Sequence, residues 1–374
     1  PRQYGVILEQ VQSQGSTTLE FRRKLAGEAF AHTSRYDTAI ADYFASLGES
    51  AGEKFPEQLT LTLTRRESLR YGENPHQSAA LYALSNAAPQ SLVNAKQLHG
   101  KELSYNNLLD LDAALAIARS LPSPAVAVLK HNNPCGAATA SDLRTAIERA
   151  WEGDPVSAFG SILGFNGPAD AATAKFLAEP GRFVEAIIAP NFTPEAFTIL
   201  TTKPKWKANV RLLEVGQLGT GQAAIQLRAI DGGYLAQSAD DLADEEADWQ
   251  LVTPAQPTEL QLADLRFAWA ACRHVKSNAI VLVRDGALVG VGAGQMSRLD
   301  SVEIAIKKAG EKSRGAVMAS DAFFPFDDSI HLAAAAGVVA AIQPGGSKKD
   351  SEVIAACEAH NMAMLFTGRR HFRH

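Results

Sequence analysis

The chain has little cysteine, little net charge and no long apolar run, and each shortage narrows what it can be. Only three cysteines, Cys135, Cys272 and Cys357, occur in 374 residues. An odd, widely spaced set without a CxxC pair excludes a disulfide framework and fits free thiols in a reducing compartment. The net charge of -5 argues against a general nucleic-acid binder, although basic residues gather at 369–374. No apolar run, the stretch 332–342 included, reaches the roughly 20 residues that a membrane span needs, and no basic-then-apolar leader opens the chain. These absences predict a cytoplasmic protein with neither nucleic acid nor membrane among its partners. The opening at Pro1, without Met and directly in a helix-like pattern, reads as that of a fragment.

What is present is material for cores. A hydrophobic content of 46% over this length suggests two or three domains. Residues 17–47 predict packing helices, with Leu19, Phe21, Leu25, Ala29, Phe30, Tyr36, Ile40, Tyr43 and Phe44 spaced near 3.6. The polar, glycine-containing stretch 47–54 then breaks the periodicity and predicts a boundary. Beyond it, helical patterns at 108–121, 260–275, 330–336 and 351–360 alternate with strand patterns at 125–129, 186–189, 316–318, 338–342 and 362–366. Strands at 279–283 and 287–291 flank Asp285-Gly286, a hairpin signal. The alternation predicts an α/β class with a mixed sheet, and no internal repeat is visible.

Chemistry concentrates in a few places. The strand at 125–129 delivers Lys130 and His131 to a loop shaped by Pro134, Cys135 and Gly136. Neutral imidazole takes a proton near pH 7, and a neighbouring ammonium donates one or holds developing negative charge. Two further strands empty into the loops 320–328 and 343–348, and ligands in open α/β sheets sit beyond carboxyl ends. Arg70 and Tyr71 stand in a Gly/Pro turn suited to gripping an anion and stacking on a base, or to an ordinary surface turn. Asn278 either caps a helix or hydrogen-bonds a substrate. The run Gly290 to Arg298 is a weak phosphate-loop signal. Phe323 to Phe326 either pack inward or stand against a flat heterocycle. A deaminase zinc site is disfavoured, because Ala138 occupies the second position of Pro-Cys-x-x-Cys.

Nine segments taken in order resemble one family: 69–77 (LRYGENPHQ), 103–107 (LSYNN), 130–136 (KHNNPCG), 157–160 (SAFG), 188–190 (IAP), 276–278 (KSN), 292–298, 320–328 and 366–374. The chain is similar to the AICAR transformylase region of the bifunctional purine biosynthesis family across about residues 60–374. Residues 1–47 resemble the end of that family's IMP cyclohydrolase domain, whose catalytic portion lies upstream, so little cyclohydrolase activity is expected. The implied fold is two cytidine-deaminase-like α/β subdomains with mixed sheets and no zinc, 60–250 and 251–374, preceded by a helical remnant (1–47) and a linker (48–59).

The resemblance implies formyl transfer from 10-formyltetrahydrofolate, as co-substrate, to the 5-amino group of AICAR. His131 would be the general base, Lys130 would protonate the leaving folate nitrogen or hold the oxyanion, and Asn278 would orient the carboxamide. Arg70 and Arg370 resemble phosphate ligands, with Tyr71, Asn107, Gly160, Glu185, Arg298 and Phe323 lining the AICAR site. Leu299, Asp328, Ser347 and Lys348 would face the folate. Glu185 stands where vertebrate members carry Asp beside the ribose. A homodimer with shared active sites is implied, with room for a potassium ion near the site. A deaminase-like hydrolase and a non-catalytic nucleotide-binding module are the competing readings.

Overall fold

The computed structural model describes residues 2–47, 54–219, 225–241 and 246–374. The boundary expected at 47–54 falls largely on residues 48–53, outside the described residues. Contacts divide the chain into two compact units, Pro1–Leu61 with Ala224–Ala239, and Thr62–Ala223 with Asp240–His374.

The first unit contains helices Tyr4–Gln14 and Leu19–Leu47 and a hairpin that the sequence pattern did not reveal. Leu19, Phe30, Tyr36, Tyr43 and Phe44 on the long helix are exposed, while Phe21 and Leu25 are half-buried.

The strands in chain order are β1 (Leu63–Leu69), β2 (Ala79–Leu84), β3 (Lys96–His99), β4 (Ala125–Lys130), β5 (Asn133–Thr139), β6 (Ser161–Phe165), β7 (Val184–Ala189) and β8 (Arg211–Glu214). The first unit's hairpin is β9 (Gln226–Ile230) and β10 (Gly233–Gln237). There follow β11 (Gln250–Leu251), β12 (Ile280–Arg284), β13 (Ala287–Gly292), β14 (Val317–Ser320), β15 (Ala340–Gln343) and β16 (Ala363–Phe366). Apart from the hairpin β1–β2, the second unit's strands form one 12-stranded sheet, ordered β11-β16-β15-β14-β12-β13-β5-β4-β6-β7-β8-β3.

The sheet is duplicated. Outward from the β5–β13 seam, each half runs hairpin, antiparallel neighbour, two parallel strands and antiparallel edge. Helices Tyr105–Ser120 and Glu259–Cys272 precede the two hairpins, and three helices of seven or more residues follow each in matching order: Leu143–Trp151, Ala171–Leu177 and Pro194–Thr202 in the first half, Arg298–Ala309, Asp328–Ala335 and Asp350–Ala359 in the second. Periodicity and turns fix such a topology without requiring like residues, which is why no repeat is visible in the sequence.

Both faces of the sheet are covered. Ala125, Ala127 and Leu129 of β4 and Val281 and Val283 of β12 face one core with helices Tyr105–Ser120 and Glu259–Cys272. The alternate residues Val126 and Val128, and Ile280 and Leu282, face two separate cores on the other side. Two-sided burial explains why these strands read as continuous apolar runs.

Two expectations change. Residues 131–132 form a two-residue turn and not a long loop, with Pro134, Cys135 and Gly136 inside β5. Gly290 and Gly292 lie in β13, where they admit the following helix and build no phosphate loop. A Cβ at Gly136 would sit 1.8 Å from the Ala150 carbonyl oxygen, and one at Gly290 2.2 Å from that of Ala305. Gly136→Ala is therefore expected to cost about 3 kcal/mol in denaturant unfolding, and an unchanged midpoint would remove this close-packing account.

Candidate active site

β4 ends at Lys130, and His131 and Asn132 turn the chain into β5 with φ of 52° and 63°. Left-handed backbone costs residues other than glycine about 1–2 kcal/mol each. The Asp110 carboxylate, from helix Tyr105–Ser120, accepts the Asn132 N–H at 2.6 Å. Burial pushes Asp110 up from the usual carboxylate range, against the Asn132 amide and the charges of His131 and Lys130. His131 itself is exposed. Lys130 Nζ donates to the carbonyls of Gly160 at 2.9 Å and Phe159 at 3.3 Å.

The start of the same helix is held by a capping box, Ser104 Oγ accepting from Asn107 N and Asn107 Oδ1 from Ser104 N, each at 3.1 Å. Asn107 Nδ2 then reaches Glu185 Oε2 at 3.3 Å, and Arg211 pairs with Glu185 Oε1 at 3.4 Å. The longer carboxylate at 185 is thus tied down by two partners. Arg70 lies over the ring of Tyr71, its Nη2 donating to the phenol oxygen at 3.1 Å. Their turn meets the helix start where Asn106 Nδ2 donates to Glu73 O at 3.2 Å.

In the other half, Asp321 is fully buried beyond β14 and pairs with buried Arg298 at 2.5 Å. Arg298 also donates to Ser320 Oγ at 2.6 Å and to Asn278 Oδ1 at 2.7 Å. Asn278 Nδ2 donates to the carbonyls of Gln295 at 2.9 Å and Met296 at 3.1 Å. Ser277 Oγ and Ala279 N complete the shell of Asp321. The halves meet where Lys276 N donates to Asn133 Oδ1 at 3.2 Å, which sets the Lys130–His131 turn beside the Asn278 segment.

The tail closes over this junction. His371 N donates to Asp321 O at 2.9 Å, and Ser277 N to Arg373 O at 2.9 Å. Arg370 is exposed and stacks on Phe372, with no recorded contact to Arg70. Phe324 is fully buried, the inward packing expected as one alternative for this segment, while Phe323 is exposed. Leu299, Asp328, Ser347 and Lys348 lie on the loops and helix starts flanking β13, β14 and β15, and the hydrogen bonds of Asp328 and Ser347 are local. Cys135 Sγ faces the Val128 carbonyl, and burial pushes its thiol up to about 12. Sequence reasoning missed Asp110, Arg211, Asn133 and Asp321. Asn133 and Asp321 stand in segments that residue type had singled out, 130–136 and 320–328, without a role assigned to them, and Asp110 and Arg211 left no local signal.

Two outcomes follow from the buried charges. Arg298→Ala leaves Asp321 unpaired in the interior and is expected to cost about 3–5 kcal/mol of stability in denaturant unfolding; a loss under about 1 kcal/mol would contradict the pairing. His274, half-buried beside Arg373 at 3.4 Å, is pushed down from 6.5 to about 3 by burial first and then by the Arg373 and Arg273 charges. The unfolded chain binds this proton first, so stability is full above pH 6.5 and falls toward pH 3. The loss is up to about 1.4 kcal/mol per pH unit, and His274→Gln should flatten the difference between unfolding at about pH 5 and pH 7.

Comparison with known proteins gives this geometry its context. The family described as AICARFT/IMPCHase bienzyme matches residues 1–308. Bifunctional purine biosynthesis protein PurH of Rhodopirellula baltica is 57% identical over all 374 residues, which cover 71% of its length. The proteins of that name from Oceanobacillus iheyensis and Halalkalibacterium halodurans are 48% and 47% identical, with the same coverage. A match of this extent over the whole fold shows that the chain belongs to the AICARFT/IMPCHase bienzyme family.

Proposed function

We propose that this chain is an AICAR formyltransferase of purine biosynthesis, passing the formyl group of 10-formyltetrahydrofolate to the 5-amino nitrogen of AICAR. Family membership supports the reaction. The observation that carries the site is the junction of Lys130–His131 with Asn278–Arg298 through the Asn133–Lys276 hydrogen bond.

The acceptor amine is a weak nucleophile because its lone pair is delocalised into the imidazole carboxamide. As its nitrogen bonds to the formyl carbon, His131 takes the proton it sheds, directly or through the carboxamide. The carbon–N10 bond then breaks, and N10 of the folate needs a proton. Lys130 has three donors and spends two on carbonyls, which leaves one for the oxyanion or for N10. Asn278 has both amide hydrogens and one Oδ1 lone pair engaged, so its remaining lone pair would accept from the AICAR carboxamide.

In the same reading Arg70 and Arg370 bind the phosphate, and Tyr71, Asn107, Gly160, Glu185 and Phe323 surround the ribotide. Leu299, Asp328, Ser347 and Lys348 take the folate. Each half of the sheet would be a cytidine-deaminase-like subdomain, 60–250 and 251–374, behind the helical segment 1–47 of the cyclohydrolase domain and the linker 48–59. Two copies would share their sites in a cytoplasmic homodimer. The potassium ion rests on the resemblance alone.

His131→Ala is expected to lower kcat by roughly 10²- to 10⁴-fold while AICAR still binds. Turnover of AICAR with 10-formyltetrahydrofolate that survives this change undiminished would overturn the assignment.

A further inference from the structure

We infer that Asp110 is a positioning residue for the transfer reaction: its carboxylate holds the His131–Asn132 turn in its left-handed form and so aims the His131 ring. The inference rests on the reading of His131 as the general base.

The duplicated fold supplies the comparison. Asp110 is the sixth residue of helix Tyr105–Ser120, and Asp264 is the sixth residue of Glu259–Cys272. Each stands twenty-one residues before the first residue of the hairpin turn that follows its helix. In the second half Asp264 accepts the N–H groups of both turn residues, Asp285 at 2.9 Å and Gly286 at 2.7 Å. In the first half Asp110 accepts the Asn132 N–H at 2.6 Å and lies against the His131 amide. One device, a helix carboxylate beneath a two-residue turn, is thus used twice.

The turns differ in chemistry. Asp285 and Gly286, with φ of 54° and 71°, form an Asp-Gly pair of the kind this turn geometry favours unaided. His131 and Asn132 adopt the same sign of φ without a glycine. A turn that lacks glycine depends more on an external acceptor for its amides, and Asp110 is that acceptor. The His131 side chain is exposed, so the turn backbone sets where its Cβ stands.

The titratable groups facing Asp110 from the hairpin are Lys130 and His131. Glu185 on β7 engages Asn107, one turn earlier on the helix, and Arg211 on β8 pairs with Glu185. The work of Asp110 is therefore directed at the turn.

The test pairs the two aspartates. Asp110→Ala is expected to lower kcat roughly 10- to 100-fold with little change in KM for AICAR, as for a catalytic group displaced by about an ångström. Asp110→Asn, which keeps an acceptor in place, should retain most of the activity. Adding Asn132→Gly to Asp110→Ala should restore kcat, because glycine supplies the left-handed preference. Asp264→Ala should lower thermal stability and leave kcat unchanged.

Equal effects of the two alanine variants on kcat, or a glycine that restores folding without restoring kcat, would overturn the inference. Wild-type protein that makes no formylated product would instead remove the proposed function. Loss of turnover in His131→Ala alongside full turnover in Asp110→Ala would remove only the role of Asp110.

Discussion

Burial of the sheet on both faces is the constraint from which the rest follows. A strand covered on two sides has no interior position from which a polar group can reach a substrate, so β4 and β12 are apolar up to their last residues, Lys130 and Arg284. Chemistry is confined to strand ends and turns. Because the halves meet antiparallel at the β5–β13 seam, one end of the sheet combines unlike features. The first half presents the amino ends of β6 and β7, with Gly160 and Glu185, beside the end of β4. The second presents the carboxyl end of β14, with Ser320 and Asp321. The rule that ligands sit beyond carboxyl ends therefore describes the second half and only part of the first.

Polar groups gathered at such an end are costly unless they satisfy one another, and Asp321 shows how that is done. Its carboxylate takes hydrogens from Arg298, Ser277 and the Ala279 amide, while its carbonyl receives the tail through His371. Arg298, anchored in this way, fixes Asn278. A buried ion pair of this kind adds little net stability, because desolvation offsets the attraction. What it adds is direction: the side chains are oriented before any substrate arrives, so little reorganisation is needed as charge develops. Lys130 follows the same logic more loosely, leaning on two carbonyls and keeping one donor free.

The sequence made some of this legible and hid the rest for physical reasons. The hairpin across Asp285-Gly286 was readable because glycine and alternation are local signals, and the helices at 105–120 and 259–272 were read to within three residues as 108–121 and 260–275. The hairpin across His131-Asn132 was not, since His-Asn signals left-handed backbone less strongly than a pair with glycine and Pro134 argues against a strand interior. Lys130, His131 and Asn278 could be singled out by residue type and by resemblance. Their supports could not: Asp110, Asn133 and Asp321 matter through contacts spanning 22, 143 and 23 positions, and no local pattern encodes such contacts. Glu185 was read as a departure, but its fixation by Arg211 and Asn107 is a tertiary fact.

Duplication explains how one fold carries both a stable frame and a strained site. Gly136 and Gly290 do the same service in the two halves, each letting a helix approach the second strand of its hairpin. Asp110 and Asp264 likewise serve their turns. Where a feature recurs in both halves it belongs to the frame, and where it occurs once it is a candidate for chemistry. By that criterion the carboxylates are frame, and the replacement of Asp-Gly by His-Asn is the specialisation. A turn braced from below holds its form without glycine, and such a position can carry a titratable side chain at the end of the sheet.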